Sequence, residues 1–347
     1  MDTYTALAER HGQGSSQRYR KILQLVMTPR QAELVALLPA PWEELSQKSG
    51  MSLQEVKDNI RDLFIKGVVI PKDFQTLEGA RFARSTIQLH DATEADLRVE
   101  KTVGEKLFDL WEDFSQHEWY PRVAQDYGQR PVPFDRVLAA YKSLPKDPGV
   151  TKFDDIREVL KAAPLMAVTP CSCRQQARAK NNPVETCMQF GRSAEYAIAR
   201  GSGQKLSYEE ALKVIDKAED HGQVHMFLNA QMLNYGVMCN CTKDPCVAWT
   251  PLLQHNVPVS KRAAKSRFEA VMDQELCNGC QVCVDRCQFD AIDMVRPAGQ
   301  KKYKAVVDAE KCWGCGVCVI KCEPEALSLK LVRPLDYIPT QRPAVVA

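Results

Sequence analysis

Cys277-Asn278-Gly279-Cys280-Gln281-Val282-Cys283-Val284-Asp285-Arg286-Cys287 is answered later in the chain by Cys312-Trp313-Gly314-Cys315-Gly316-Val317-Cys318-Val319-Ile320-Lys321-Cys322. Both runs read C-x2-C-x2-C-x3-C, and every cysteine of the first recurs 35 residues on. Val271, Asp273 and Ala291 recur in the same register as Val306, Asp308 and Ala326, so one structural unit occurs twice. A tight C-x2-C-x2-C loop brings three thiolates around one iron-sulfur cubane. The fourth cysteine reaches the other cubane, so two such loops are tied together by their metals. Zinc ribbons also use C-x2-C, but four cysteines in this register exceed what a ribbon needs.

The segment resembles the bacterial dicluster ferredoxins over roughly residues 268 to 332, about a fifth of the chain. That resemblance implies two [4Fe-4S] clusters in a small pseudo-twofold α+β fold, each repeat giving a short strand, a cysteine loop and a helical turn, and it implies electron transfer. Carried over, it assigns Cys277, Cys280, Cys283 and Cys322 to one cluster and Cys312, Cys315, Cys318 and Cys287 to the other. The family places Pro directly after the remote cysteine. Here Gln288 and Glu323 stand there, with Pro only at Pro324. Such polar side chains tune a potential rather than remove a ligand.

The 347 residues allow two or three domains, and 45% hydrophobic content allows ordinary cores. Net charge is +2 without a long block of one sign, which gives neither nucleic acid nor an anionic membrane a footprint. The stretch from Met1 to Lys21 is polar, with no signal-peptide core, and no apolar run approaches the roughly 18 to 20 residues of a spanning helix. The expectation is a soluble cytoplasmic protein. Fourteen cysteines in such a compartment argue for metal rather than disulfides.

Upstream, Thr28-Pro29-x-Gln31 and Ser52-x-x-Glu55 are capping boxes that start helices, with Trp42 to Ser49 as a short helix between them stopped by Gly50. Val68 to Ile70 and Phe82 to Leu89 read as two strands. Three helices and a two-strand wing resemble the winged-helix superfold over residues 20 to 90. Residues 1 to 75 carry ten Lys plus Arg against nine Asp plus Glu, so docking or dimerisation is expected ahead of DNA binding. Residues 91 to 150 read as a helix holding Leu107, Phe108, Leu110, Trp111 and Phe114, then a Pro-rich linker from Pro121 to Pro148. Trp111, Phe114, Trp119 and Tyr120 are expected in a core or interface.

Between residues 165 and 250 lie six more cysteines: Cys171 and Cys173, Cys187, Cys239 and Cys241, and Cys246. Helical scaffold is expected around them, including Ser193 to Ala199 and a helix capped by Ser207-x-x-Glu210, with the thiols in intervening loops. Pro-Cys-x-Cys-Arg, Glu-Thr-Cys and Cys-Asn-Cys ahead of a dicluster ferredoxin resemble a group of iron-sulfur proteins of anaerobic prokaryotes, which would extend the likeness to residues 20 to 332. That group often has a further cysteine where Thr242 stands here. Six thiols supply one cluster with two spare, or a cluster plus a mononuclear site completed by His. A third cluster is expected, with zinc as the alternative metal, on Cys171, Cys173, Cys187 and one or more of Cys239, Cys241 and Cys246. Arg174 would offset its charge or donate a hydrogen bond to it, with an ordinary surface salt bridge as the alternative. His221 and His225 read as ordinary histidines.

No dinucleotide fingerprint, phosphate loop or nucleophile elbow occurs, and motifs do not decide about a flavin. The sequence-level architecture is therefore α+β: a winged-helix-like domain (1–90), a helical connector and linker (91–150), a Cys-rich helical middle domain (151–262), a ferredoxin domain (263–332) and an extended tail (333–347). Electron delivery to an oxidoreductase partner is the leading functional expectation. A cluster-sensing transcriptional regulator and an oxidoreductase with a catalytic middle cluster are the alternatives.

Overall fold

The computed structural model describes residues 2–179, 181–299 and 302–343. The last four positions of the expected tail, 344–347, lie outside the described residues. The chain mixes helices and strands and falls into two compact units that each draw on separated stretches of sequence. One holds residues 1–122, 167–185 and 192–205; the other holds 123–166, 186–191 and 206–347.

In the first unit, local sequence signals set the helices. Thr28 and Ser52 each accept from the backbone of the residue three on while Gln31 and Glu55 answer back, closing the capping boxes of helices Pro29–Ala36 and Leu53–Ile65. Helix Trp42–Ser49 ends at Gly50 in the left-handed region. Gly67 follows the next helix at φ +82, and a Cβ there would lie 2.3 Å from the Ala92 carbonyl oxygen, so only glycine fits. Arg200 ties the same region together, donating to the carbonyls of Ala92 (2.7 Å) and Ile65 (3.0 Å).

The expected two-strand hairpin is shorter than the sequence implied. Val69–Ile70 pairs antiparallel with Arg81–Phe82, but the second strand stops there and helix Thr86–Glu94 follows. Ser85 explains the correction, because its hydroxyl accepts from the Gln88 N–H and caps a helix whose apolar residues had read as a strand. That helix brings His90 and Glu94 into the interior, where Trp111, Phe114, Trp119 and Tyr120 are buried as expected.

In the second unit, strands Glu185–Phe190, Val237–Cys241, Val224–Leu228, Asp135–Leu138 and Ala263–Ala264 lie in that order. The first four are antiparallel where paired here, and Asp135–Leu138 runs parallel to Ala263–Ala264. Val224–Leu228 and Asp135–Leu138 are buried along their whole length, as strands covered on both faces must be. The stretch expected as a Pro-rich linker thus contains a strand paired on both edges, and the prolines Pro131, Pro133 and Pro145 merely bracket it. A second correction concerns the middle cysteines, expected in loops among helices. Cys187, Cys239 and Cys241 lie on strands, and Cys173 lies in helix Ser172–Gln176; Cys246 keeps a loop position. Helices Arg192–Arg200 and Tyr208–Asp220 stand where expected, the latter with its Ser207 capping box.

Candidate metal centres

The two cysteine runs fold with local twofold symmetry, visible bond by bond. Strand Phe268–Met272 pairs with Leu327–Leu331, and Ile292–Val295 pairs with Lys304–Val307, so Met272↔Leu327 and Val307↔Ile292 are equivalent pairs 35 residues apart. The carboxylate of Asp273 accepts from the backbone of Glu275 and Leu276, and that of Asp308 from Glu310 and Lys311. These two Asx turns lead each strand into its cysteine loop. The loops then need glycine at matching places. Gly279 (φ +79) would set a Cβ 2.4 Å from the Tyr303 carbonyl oxygen, and Gly314 (φ +65) one 2.1 Å from that of Phe268. Each repeat presses its loop on the start of the other repeat's strand.

This interleaving creates two cavities. One is lined by Cys277, Cys280, Cys283 and Cys322; the other by Cys287, Cys312, Cys315 and Cys318. The crossover of the remote cysteine, implied at first by resemblance, is therefore built into the lining of each hollow. Backbone amides point at the sulfurs: Ala305 N–H donates to Cys277 Sγ (3.5 Å), Ala270 N–H to Cys312 Sγ (3.4 Å) and Ala291 N–H to Cys287 Sγ (3.3 Å). Such donors stabilise thiolate charge and tune a cluster's potential. Burial, then the neighbouring thiols led by Cys280, pushes Cys283 up to about 11, and burial followed by Cys287 and Cys312 pushes Cys315 up to about 12. Burial likewise raises Cys318 well above the ordinary thiol range. Bound metal reverses that cost because a coordinating thiol is deprotonated outright. Among the described residues no three His, Cys, Asp or Glu side chains form a group that would hold a single metal ion. Four thiols spread round a hollow suit a cluster instead, and the residues present fit [4Fe-4S] ligation.

The six middle cysteines divide between the units. Cys171 and Cys173 belong to the first, where the Cys171 N–H donates to the Val184 carbonyl (2.9 Å) at the start of helix Ser172–Gln176. Arg174 is buried in the same helix and donates to the Pro183 carbonyl (3.3 Å). Cys187, Cys239, Cys241 and Cys246 belong to the second unit and touch in series. Cys239 hydrogen-bonds Cys187 and Cys241, and the sulfurs of Cys241 and Cys246 are 3.8 Å apart. Gln189 Nε2 donates to Cys187 Sγ (3.4 Å).

Charged and aromatic groups that the sequence did not single out surround these four thiols. Arg262 is ion-paired with Asp135 on the buried strand and interacts electrostatically with Cys239 and Cys246. Burial raises Asp135 to about 7 against the opposing pull of Arg262, and Cys239 and Cys246 add to the rise. Trp249, Phe289 and Trp313 form a ladder, with ring centroids 5.5 Å apart for the first pair and 4.9 Å for the stacked second pair. His225 lies in the interior beside them. It shares hydrogen bonds with Asn240 Oδ1 (2.6 Å) and Glu219 Oε1 (3.2 Å), all three being buried. Helix Tyr208–Asp220 ends just before His221, and His225 lies on strand Val224–Leu228.

Among the described residues no helix is long and apolar enough to cross a membrane. No curated protein and no solved structure matches the chain. Residues 276–326, which hold all eight cysteines that line the two cavities, match the family model described as a 4Fe-4S dicluster domain.

Proposed function

We propose that this chain is an iron-sulfur electron-transfer protein, a subunit that passes low-potential electrons between a donor and an oxidoreductase partner. The observation that carries the reading is the lining of the two cavities: four thiols each, three from one repeat and the fourth from the other. Cys277, Cys280, Cys283 and Cys322 would hold one [4Fe-4S] cluster, and Cys287, Cys312, Cys315 and Cys318 the second. The clusters supply one-electron chemistry, while the chain sets their spacing, burial and hydrogen bonds. Ala270, Ala291 and Ala305 act here through their N–H donors to sulfur.

The remaining six cysteines would furnish a third metal centre. The three helices and short hairpin of residues 20 to 90 are read as a winged-helix-like docking module. Helix Leu53–Ile65 mixes Glu55, Lys57, Asp58, Arg61 and Asp62, so it offers no basic stripe for phosphates and suits a protein partner or a second copy. Anaerobic purification tests the reading. At least about eight irons and eight labile sulfides per chain are expected, with reduction by a low-potential donor and co-purification of oxidoreductase subunits. Fewer than about four irons in freshly isolated, folded protein would exclude the dicluster relay.

A further inference from the structure

The second cavity shares its wall with the middle thiols. Cys239, Cys241 and Cys246 pack in one apolar core with Trp249, Trp313, Cys315 and Val317, and Phe289 belongs both to that core and to the one beneath the ferredoxin cysteines. Phe289 and Trp313 line the hollow of Cys287, Cys312, Cys315 and Cys318. Gln288, standing where the ferredoxin pattern has proline, uses its side-chain oxygen to accept from the Lys243 N–H (3.0 Å), in the loop between Cys241 and Cys246. Lys243 Nζ also reaches Asp290 (2.9 Å). Residues 288 to 290, directly after the remote Cys287, are thus committed to holding the middle thiols against the second quartet.

We propose that Cys187, Cys239, Cys241 and Cys246 hold a third iron-sulfur cluster whose neighbour across Phe289 and Trp313 is the cluster of Cys287, Cys312, Cys315 and Cys318. This rests on the dicluster reading for its second partner. Four thiols of one unit suffice for a cubane, so the proposal narrows the six candidates to four. Two independent observations point to a ligand among them. Arg262, paired with Asp135, leaves its buried Nε atom without a hydrogen-bond partner beside Cys239 and Cys246. The Trp249 Nε1–H is likewise buried without a partner in the same core. Positive charge and N–H donors gathered round thiols are the surroundings of an anionic cluster. The first quartet, by contrast, has no member in that core.

Metal analysis and electron paramagnetic resonance of the full chain, prepared anaerobically, test the proposal. Wild type should hold about twelve irons and twelve sulfides, and Cys239→Ala/Cys241→Ala about eight of each. The fully reduced spectrum should change from three interacting spins to the two-spin pattern of a ferredoxin pair. If the variant does not fold, the wild-type count still decides. About eight irons, with or without one zinc, would overturn the third cluster, as would a folded variant that keeps all its iron. An iron loss with an unchanged second-cluster signal would overturn the adjacency. Failure of the dicluster reading looks different, because wild type would then lack the eight irons that the variant is expected to keep.

Discussion

The two ferredoxin repeats have the same ligand spacing but opposite surroundings. Cys280 is exposed, between Asn278 and Gln281, and Leu276 and Val282 beside it are exposed as well. At the equivalent place Cys315 is buried between Trp313 and Val317, and its carbonyl accepts from the Ala140 N–H (2.8 Å) just past strand Asp135–Leu138. Gly316 packs so closely that a Cβ there would lie 2.0 Å from Ser143 Oγ. Symmetric ligation thus coexists with asymmetric access. The symmetric contacts (Asx turns, amide-to-sulfur bonds, loop glycines) form the two hollows, and the asymmetric ones graft one repeat onto the sheet while leaving the other exposed.

The strongest way to break this comparison is to remove one ligand from each side. Cys280→Ala and Cys315→Ala should each lose about four irons, but only Cys315→Ala should also loosen the sheet. Its thermal midpoint, followed by circular dichroism of anaerobic protein, is expected to fall several degrees further. Equal falls would mean that the second repeat is no more integrated than the first.

Glycine substitutions separate the shared from the unshared contacts. Gly279→Ala and Gly314→Ala should each destabilise by about 2–4 kcal/mol, because each meets a backbone carbonyl and requires a left-handed conformation, with Gly314→Ala toward the upper end because its Cβ would also lie 2.2 Å from Ser266 Oγ. The next pair should differ. Gly316→Ala adds a collision with Ser143 to its backbone strain at φ +72, for about 2–3 kcal/mol. Its counterpart Gln281 already carries a side chain at φ +69, so Gln281→Gly should stabilise by up to about 1 kcal/mol. Chemical denaturation gives all four values, and a destabilised Gln281→Gly would show that the exposed loop depends on its side chain after all.

What the sequence revealed and what it hid divide along range of interaction. The cysteine spacing, the Thr28, Ser52 and Ser207 capping boxes and the stop at Gly50 are written within a few residues, and all stand in the structure. The Ser85 cap was equally local, but the apolar run after it matched a strand template, and no short-range rule decided between them. Strand Asp135–Leu138 is set by partners about 90 and 130 residues away, so its own prolines misled. Cys239 and Cys241 alternate with Asn240 as strand residues must, yet a C-x-C motif alone reads as a loop. The aromatic ladder had a faint signal: Trp313 adjoins Cys312, and Phe289 lies two residues after Cys287.

That ladder gives the finest test of the asymmetry. Phe289 stacks on Trp313 with ring planes 12° apart and leans on Trp249, and the first repeat has Asn278 where the second has Trp313. Phe289→Leu keeps the apolar volume but removes both ring contacts, so stability should fall by only about 1 kcal/mol. The second cavity loses its flat aromatic wall and admits more water, and exposure is one of the levers on a cluster's potential. A redox titration of the variant should therefore move the second cluster's midpoint while the first stays where it was. Movement of both midpoints together would tie the two hollows more tightly than their separate linings imply. Movement of neither would make the ladder a packing device with no electronic consequence.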